Sequence, residues 1–190
     1  MNPYIELTKQ AVESYIKKGK IISPSLDLPS EILNKKAGTF VTVEKNNELR
    51  GCIGTYLPTK ENIAQEIIHN AIAAAAEDYR FNPIQKQELP ELSYTVYILS
   101  KPELIKNTKE LDPKKYGIII KTAPISYSGK TDVMFNGHTV PKSGLLLPNL
   151  EGINTMEKQL SAVCQKAGIN PAAEQVVIYK FTVKKFSQKK

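Results

Sequence analysis

Leu49-Arg50-Gly51-Cys52-Ile53-Gly54-Thr55 is the stretch on which the fold prediction depends. It follows an alternating apolar and polar run at 39–44 and a polar segment at 45–48. Two strand-like runs joined by a short polar turn predict a β-hairpin. Glycine inside a strand is typical of a bulge, or of a close approach by another backbone or a ligand. We therefore expect Gly51 and Gly54 to mark such places.

The second strand of this hairpin has two chemically different faces, because alternate residues of a strand share a side. One set suits a core: Leu49, Gly51, Ile53 and Thr55. The other set is a guanidinium, a thiol, a bare backbone and a phenol: Arg50, Cys52, Gly54 and Tyr56. A row of that kind predicts one wall of a small binding cleft.

Further elements follow from hydrophobic periodicity and from capping residues. The predicted helices run from a cap at Asn2 to Gly19, from about Lys60 to Asp78 with Thr59 as N-cap, and from Thr155 to Ala167. The predicted strands are 92–99, 117–120 and one long strand at 175–186, and the segment 21–33 is an extended connector. Helices and strands mix without regular β-α-β alternation, which favours an α+β fold with mainly antiparallel sheets.

Four sequence blocks together resemble the AMMECR family, named after the AMME syndrome critical region. The blocks are the signature at 49–55, the segment from Asn70 to Phe81, the segment 88–92, and Gly144-Leu145-Leu146-Leu147-Pro148. The resemblance implies a single domain over 1–190 with two unequal lobes, the larger holding both termini. The signature strand would face a groove between the lobes. Relative to the family pattern, 121–143 is an inserted hairpin or loop.

The resemblance also implies partners and further site residues. Bacterial and archaeal members are often labelled protein A of the AmmeMemoRadiSam system, so radical-SAM and Memo-like proteins are expected partners. The wall formed by Arg50, Gly51, Cys52 and Gly54 would face a second group of ligand-binding residues. That group comprises Asp78, Arg80, Gly144, Leu147 and Pro148. The family implies no particular reaction.

Composition limits the classes of protein to which the chain can belong. The net charge of +7 permits affinity for nucleic acid or another anion, although scattered surface lysines give the same total. Two cysteines without a CxxC pair favour a reducing compartment. The first residues lack a signal-peptide pattern, and no apolar run is long enough to span a bilayer. We expect a soluble, cytoplasmic protein.

Arg50 and Asp78 each have two readings. A guanidinium matches phosphate or carboxylate, so Arg50 is a candidate ligand-binding residue, but it would equally form an ion pair with Glu77 or Asp78. Carboxylates at a helix C-terminus are disfavoured by the helix dipole. Asp78 therefore needs a partner, such as Arg80 or Arg50, or has a role in acid–base chemistry.

Cys52 is the candidate nucleophile, because a guanidinium beside a thiol would lower the pKa of that thiol. A nucleophilic cysteine also needs a base. The two histidines, His69 on a polar helix face and His138 in the insertion, are not placed beside it by the sequence. The alternative is a small buried side chain that fills space. No metal-ligand spacing, Walker loop or GxGxxG motif is present, so we expect neither a metal nor a cofactor.

Three functions remain open at this point. The first is binding of an anionic small molecule, a nucleotide or RNA in the groove, with group transfer or modification as the reaction if there is one. The second is an enzyme that uses Cys52 directly. The third is an adaptor without chemistry, whose groove or 121–143 loop docks a partner protein.

Overall fold

The chain divides into two units, each with its own four-stranded sheet and its own hydrophobic core. Unit 1 comprises Met1–Lys101 and Lys184–Lys190, and unit 2 comprises Pro102–Val183. The structure is a computed structural model that describes residues 2–122, 134–135, 138–139 and 141–188.

The elements combine helices with antiparallel sheet, which confirms the predicted α+β class. The helices are α1 (Pro3–Lys18), α2 (Ser30–Asn34), α3 (Ile63–Ala76) and α4 (Met156–Ala167), with short 3-10 helices at Lys86–Glu91 and Thr108–Glu110. The strands are β1 (Thr39–Lys45), β2 (Glu48–Gly54), β3 (Leu92–Leu99), β4 (Glu103–Leu104), β5 (Gly117–Thr122), β6 (Met134–Phe135), β7 (His138–Thr139), β8 (Ser143–Leu146), β9 (Val176–Phe181) and β10 (Val183–Ser187). Within the described ranges no helix has the length and apolar character needed to span a membrane.

The sheet of unit 1 has the strand order β10-β3-β1-β2, so the signature strand β2 is an edge strand. Strand β1 pairs antiparallel with both β2 and β3. One face of this sheet packs against α1 and α3, and the core there includes Val41 and Val43 of β1 and Tyr94 and Val96 of β3. The other face carries the alternate residues, among them Cys52.

The predicted hairpin is present, but its alternation fails at the start of β2. The register shifts between Val43, which pairs with Gly51, and Glu44, which pairs with Leu49. Arg50 is therefore the extra residue of a β-bulge. Leu49, expected in the core, is 44% exposed, because a bulge interrupts the strict period of two on which that expectation depended.

Helix α1 begins and ends where the sequence predicts. Asn2 Oδ1 accepts a hydrogen bond from the Tyr4 backbone N–H at 3.0 Å, and Pro3 occupies the first helical position. Gly19 ends the helix with a left-handed φ of 63°. These are the capping residues that helix termini prefer.

Helix α3 is shorter than predicted at both ends. Its N-cap is Asn62, whose side chain accepts from the Gln65 backbone N–H, rather than Thr59. The backbone N–H groups of Thr59 and Lys60 donate instead to the buried carboxylate of Glu66, at 2.7 and 2.8 Å. The Glu66 side chain thus binds the backbone at Thr59, and the helix begins three residues later than the predicted cap indicated.

Two other predicted segments are also corrected. The connector at 21–33 is not wholly extended, because α2 begins inside it at Ser30. The long final strand is two strands, β9 in the sheet of unit 2 and β10 in the sheet of unit 1. Periodicity could not separate them, because the alternation continues across the boundary while the pairing partner changes.

The sheet of unit 2 has the order β4-β9-β5-β8, with antiparallel pairing throughout. Helix α4 packs on it, capped by Thr155 and ended by Gly168. Most of the predicted insertion at 121–143 lies outside the described residues. Within it, β6 and β7 pair antiparallel.

Candidate functional site

Arg50 forms a two-pronged ion pair within unit 1. Its Nε donates to Glu88 Oε2 at 3.0 Å, its Nη2 to Glu88 Oε1 at 2.9 Å, and its Nη1 to the Asn82 carbonyl at 2.8 Å. Each of the two charged side chains is 16% exposed. The Arg50 guanidinium, helped by the Gln85 backbone N–H and by Lys45, lowers the pKa of Glu88 to about 2, against the opposing effect of burial.

Glu88 is not the acidic partner that the sequence indicated. The expected partners were Glu77, which is exposed, and Asp78, which binds another arginine. The 3-10 helix at Lys86–Glu91 leads into β3 at the sheet end where β2 also begins, and this brings Glu88 beside the bulge. All three nitrogens of the guanidinium donate within the chain, so of the two roles considered for Arg50 these contacts are those of the ion pair.

Asp78 and Arg80 hold the exposed edge of β2 at Cys52. The Cys52 backbone N–H donates to Asp78 Oδ2 at 2.8 Å, and Arg80 Nη2 donates to the Cys52 carbonyl at 3.3 Å. Edge-strand backbone groups need partners of this kind, and here two side chains replace a neighbouring strand.

The two side chains also bind each other. Arg80 Nε donates to Asp78 Oδ1 at 2.9 Å and Nη2 to Oδ2 at 2.6 Å. Asp78 is 5% exposed, and the hydrogen bonds from Arg80, followed by the Cys52 N–H, lower its pKa to about 2 although burial raises it. The carboxylate needed a partner beyond the helix end, and it has one.

The Cys52 side chain lies in a half-buried polar cluster on the sheet face away from the helices. Its Sγ is 3.2 Å from Thr42 Oγ1, on the directly paired residue of β1. Tyr97 of β3 belongs to the same cluster, and burial is the main cause of its raised pKa. Lys185 Nζ lies 5.7 Å from the centre of the Tyr97 ring.

The segment Tyr79-Arg80-Phe81, which follows α3, is aromatic and basic. Tyr79 is 94% exposed, and the side chain of Arg80 is 44% exposed. The guanidinium carbon of Arg80 lies 5.4 Å from the centre of the Phe81 ring. Because Asp78 fixes Arg80, this segment presents a rigid cation that lies against the half-buried Phe81 ring and follows the exposed Tyr79 in sequence.

The candidate glycines sit at places where a side chain would collide with the chain itself. A Cβ on Gly51 would lie 2.0 Å from the Ala74 carbonyl oxygen of α3, and one on Gly54 would lie 2.3 Å from the Phe40 ring. In unit 2, a Cβ on Gly144 would lie 2.8 Å from Ala167 Cβ of α4. Close approach of a helix explains Gly51 and Gly144, as the general rule for strand glycines allows.

The remaining candidates belong to unit 2, to another part of unit 1, or to residues outside the description. Gly144, Leu147 and Pro148 belong to unit 2, in and after β8, and are half-buried. His69 is exposed on α3, and the side chain of His138 lies outside the described residues. Among the residues that are described, no group of three or more His, Cys, Asp or Glu side chains is arranged to hold a metal ion.

Sequence reasoning missed several residues that build this site. Glu88 and Tyr79 lay inside the family-like blocks, but only three-dimensional proximity shows that one clamps Arg50 and the other is exposed. Thr42 and Tyr97 come from neighbouring strands, so only the strand order reveals them. Glu66 was not singled out in the sequence of α3, where it is fully buried and its four hydrogen bonds from Thr55, Thr59 and Lys60 compensate for burial.

The site is thus the edge of an antiparallel sheet closed by an acid–arginine pair, in a two-unit α+β chain. Comparison with known proteins gives the family. The AMMECR1 family model matches residues 5–186, and the chain belongs to that family.

The relatives include proteins of bacteria and archaea. A protein of Thermotoga maritima is 43% identical over 186 residues, covering 97% of each chain. A Clostridium acetobutylicum protein is 40% identical over 183 residues, but the match covers only 35% of that longer chain. The crystal structure of uncharacterized protein PH0010 from Pyrococcus horikoshii is similar with a TM-score of 0.81 and 31% identity, covering 98% of this chain and 90% of the other.

Proposed function

We propose that the chain binds a nucleotide or single-stranded RNA on unit 1, through Tyr79 and Arg80 beside Cys52. The observation that supports this proposal is the 94% exposure of Tyr79 next to an arginine fixed by a buried carboxylate. An exposed aromatic ring offers a surface on which a base can stack.

The charge and the rigidity of the segment support an anionic ligand. Arg80 keeps 44% of its side chain exposed while Asp78 and the Cys52 carbonyl hold its Nε and Nη2. Its Nη1 has no hydrogen bond to any residue that the structure describes. A pre-oriented guanidinium loses less entropy on binding phosphate, and the net charge of +7 adds a general attraction.

The test is fluorescence anisotropy with a labelled ten-nucleotide single-stranded RNA and, separately, with a labelled adenine nucleotide. We expect Tyr79→Ala to weaken binding by roughly tenfold or more, because stacking contributes about 1–3 kcal/mol per base. Arg80→Ala should weaken it similarly and should reduce the salt dependence of binding.

Leu26→Ala is the matched control, because Leu26 is 91% exposed but distant in sequence from the site. It should leave both affinities unchanged. Equal affinity of Tyr79→Ala and the parent protein for both probes would refute the proposal. Binding of the nucleotide alone would limit the ligand to a small molecule, and native mass spectrometry of the protein from its own host would then identify it.

A partner that performs the chemistry is part of this proposal. A radical-SAM or Memo-like protein would act on the ligand that unit 1 presents. Affinity purification from the native host, with Tyr79→Ala as a comparison, tests whether such a protein accompanies the chain.

A second candidate function, catalysis by Cys52, has one observation in its favour. The thiol is half-buried on the sheet face within 3.2 Å of the Thr42 hydroxyl, whereas Cys164 is buried in unit 2. Iodoacetamide labelling of the native protein across pH tests it. A labelling rate for Cys52 no faster than that of a free thiol at neutral pH would reject this function.

A further inference from the structure

A cavity lies in unit 1, between α1, α3 and the connector at 21–24. Its volume is about 500 Å³, within the range typical of small-molecule sites. Ile68 and Ile72 of α3 are buried at its base, and Tyr15 of α1 and Ile22 of the connector supply further apolar wall. None of the residues of the nucleotide site proposed above lines it.

The opening of this cavity carries ionisable groups without partners. Lys60, His69 and Glu77 line it. In the described part of the chain, none of these three side chains makes a hydrogen bond or an ion pair. By contrast, the nearby carboxylates of Glu66 and Asp78 both accept hydrogen bonds from within the chain. An apolar floor with a few polar groups around it is the arrangement expected of a ligand site.

The charges are distributed along the helix axis. Lys60 precedes the N-terminus and Glu77 follows the C-terminus of α3, whose 14 residues span roughly 20 Å at about 1.5 Å per residue. The helix dipole adds partial positive charge at the Lys60 end and partial negative charge at the Glu77 end. An acidic group of a ligand is therefore favoured next to Lys60 and disfavoured next to Glu77.

We infer that this cavity binds a small amphipathic molecule with an apolar body and one acidic group. The body packs on Ile22, Ile68 and Ile72, and the acid lies at the Lys60 end. Ile21, which is 64% exposed although it lines the cavity, covers the body from the connector side. This binding is independent of Tyr79 and Arg80, so each proposal survives the failure of the other.

The test compares two fluorescent probes of similar shape. 8-Anilinonaphthalene-1-sulfonate has an aromatic body and an acid, and N-phenyl-1-naphthylamine has the body without the acid. We expect Lys60→Glu to raise the Kd of the sulfonate by about fivefold and to leave that of the neutral probe within about twofold, because only the sulfonate meets the reversed charge. Ile21→Asp should raise the Kd of the neutral probe by about fivefold, since it removes apolar contact area, and that of the sulfonate by at least as much, since it also adds a negative charge.

Leu26→Asp is the matched control on the same connector, because Leu26 is 91% exposed and does not line the cavity. It should change neither Kd, and a loss equal to that of Ile21→Asp would overturn the inference. Equal weakening of both probes by Lys60→Glu would also overturn it, since the acid would then not lie at Lys60.

Nuclear magnetic resonance gives a second measurement that needs no variant. Titration of the unmodified protein with the sulfonate probe should shift the backbone amides of Gln65, Ile68 and Ile72 most strongly. Saturable binding with the largest shifts elsewhere would overturn the inference, even if Lys60→Glu failed to fold.

Discussion

Arg50 is a binding candidate by its residue type and a structural residue by its contacts. Its fork of donors suits a phosphate, yet Glu88 and the Asn82 carbonyl occupy all three of its nitrogens. Arg80, which follows the C-terminus of α3, keeps part of its side chain exposed. The availability of each arginine to a ligand depends on its acidic partner, which is Glu88 for Arg50 and Asp78 for Arg80. Glu88 is far from Arg50 in sequence, so the sequence does not reveal that pairing.

Arg50→Ala should lower the free energy of unfolding by about 2 kcal/mol, because it leaves the carboxylate of Glu88 poorly exposed and without its main partner. Urea denaturation followed by circular dichroism measures the change. Lys45→Ala is the control: Lys45 also contacts Glu88, at 3.3 Å, but is 33% exposed and should cost about 0.5 kcal/mol. Equal costs would show that the two-pronged pair adds nothing.

Glu88 should also make stability depend on pH. Its folded-state pKa of about 2 is below the ordinary value of 4.5, so its contribution is present above pH 4.5 and is lost as pH falls towards 2. The difference in unfolding free energy between the parent and Glu88→Gln should therefore be largest near neutral pH and shrink through this window. A difference that stays constant from pH 6 to pH 2.5 would contradict the assignment.

At the scale of the element, two of the outer strands, β2 and β8, follow the same design. Each carries a glycine under a helix, Gly51 under α3 and Gly144 under α4, so that helix backbone and strand approach closely. Each also has an outward carbonyl bound by a cation, Cys52 by Arg80 and Leu145 by Lys166. Closing an edge in this way limits pairing with other chains.

Gly51→Ala should lower the free energy of unfolding by about 3 kcal/mol, because the added Cβ would lie 2.0 Å from a backbone oxygen that cannot move without α3. Thermal and urea denaturation measure this loss. Gly19→Ala is the control, since its Cβ would meet nothing within 4 Å and only the left-handed φ of 63° costs about 1 kcal/mol. A smaller loss at Gly51 than at Gly19 would show that α3 adjusts easily.

At the scale of the whole molecule, unit 2 is inserted between two adjacent strands of unit 1. Thr95 bonds to Ser187, and the Gln188 backbone N–H donates to the Tyr94 carbonyl, so β3 and β10 run antiparallel. The core of unit 1, including the stacked rings of Tyr4 and Phe186, uses residues of that unit alone. Strand ends at Leu99 and Val183 are therefore positioned to be joined directly.

Removing residues 102–182 should leave unit 1 folded, because Ser100 and Lys101 would close β3 and β10 as a short hairpin. Amide proton dispersion in a two-dimensional nuclear magnetic resonance spectrum measures this outcome. Tyr4→Ala in the shortened chain is the control, and it should reduce stability by removing the ring stacked on Phe186 at 4.0 Å. A disordered shortened chain would show that unit 1 requires unit 2.

Local sequence determined most of the elements. Capping residues determined α1 and the C-terminus of α4, and the signature determined the hairpin, since these signals act within a few residues. The same locality explains the errors. The residues near Thr59 do not indicate that its backbone N–H will donate to Glu66. The residues near Thr182 do not indicate that the chain passes from one sheet to the other there.

The sequence by itself determined the family, the α+β class, and the placing of Cys52 on a strand with glycines on either side. Only the tertiary structure decided which charges meet: Arg50 with Glu88, and Asp78 with both Arg80 and the backbone of Cys52. The physical reason is that short-range backbone preferences are encoded along the chain. Ion pairs and edge contacts depend instead on distances between segments, which exist only once the strands are ordered and the helices are packed on them.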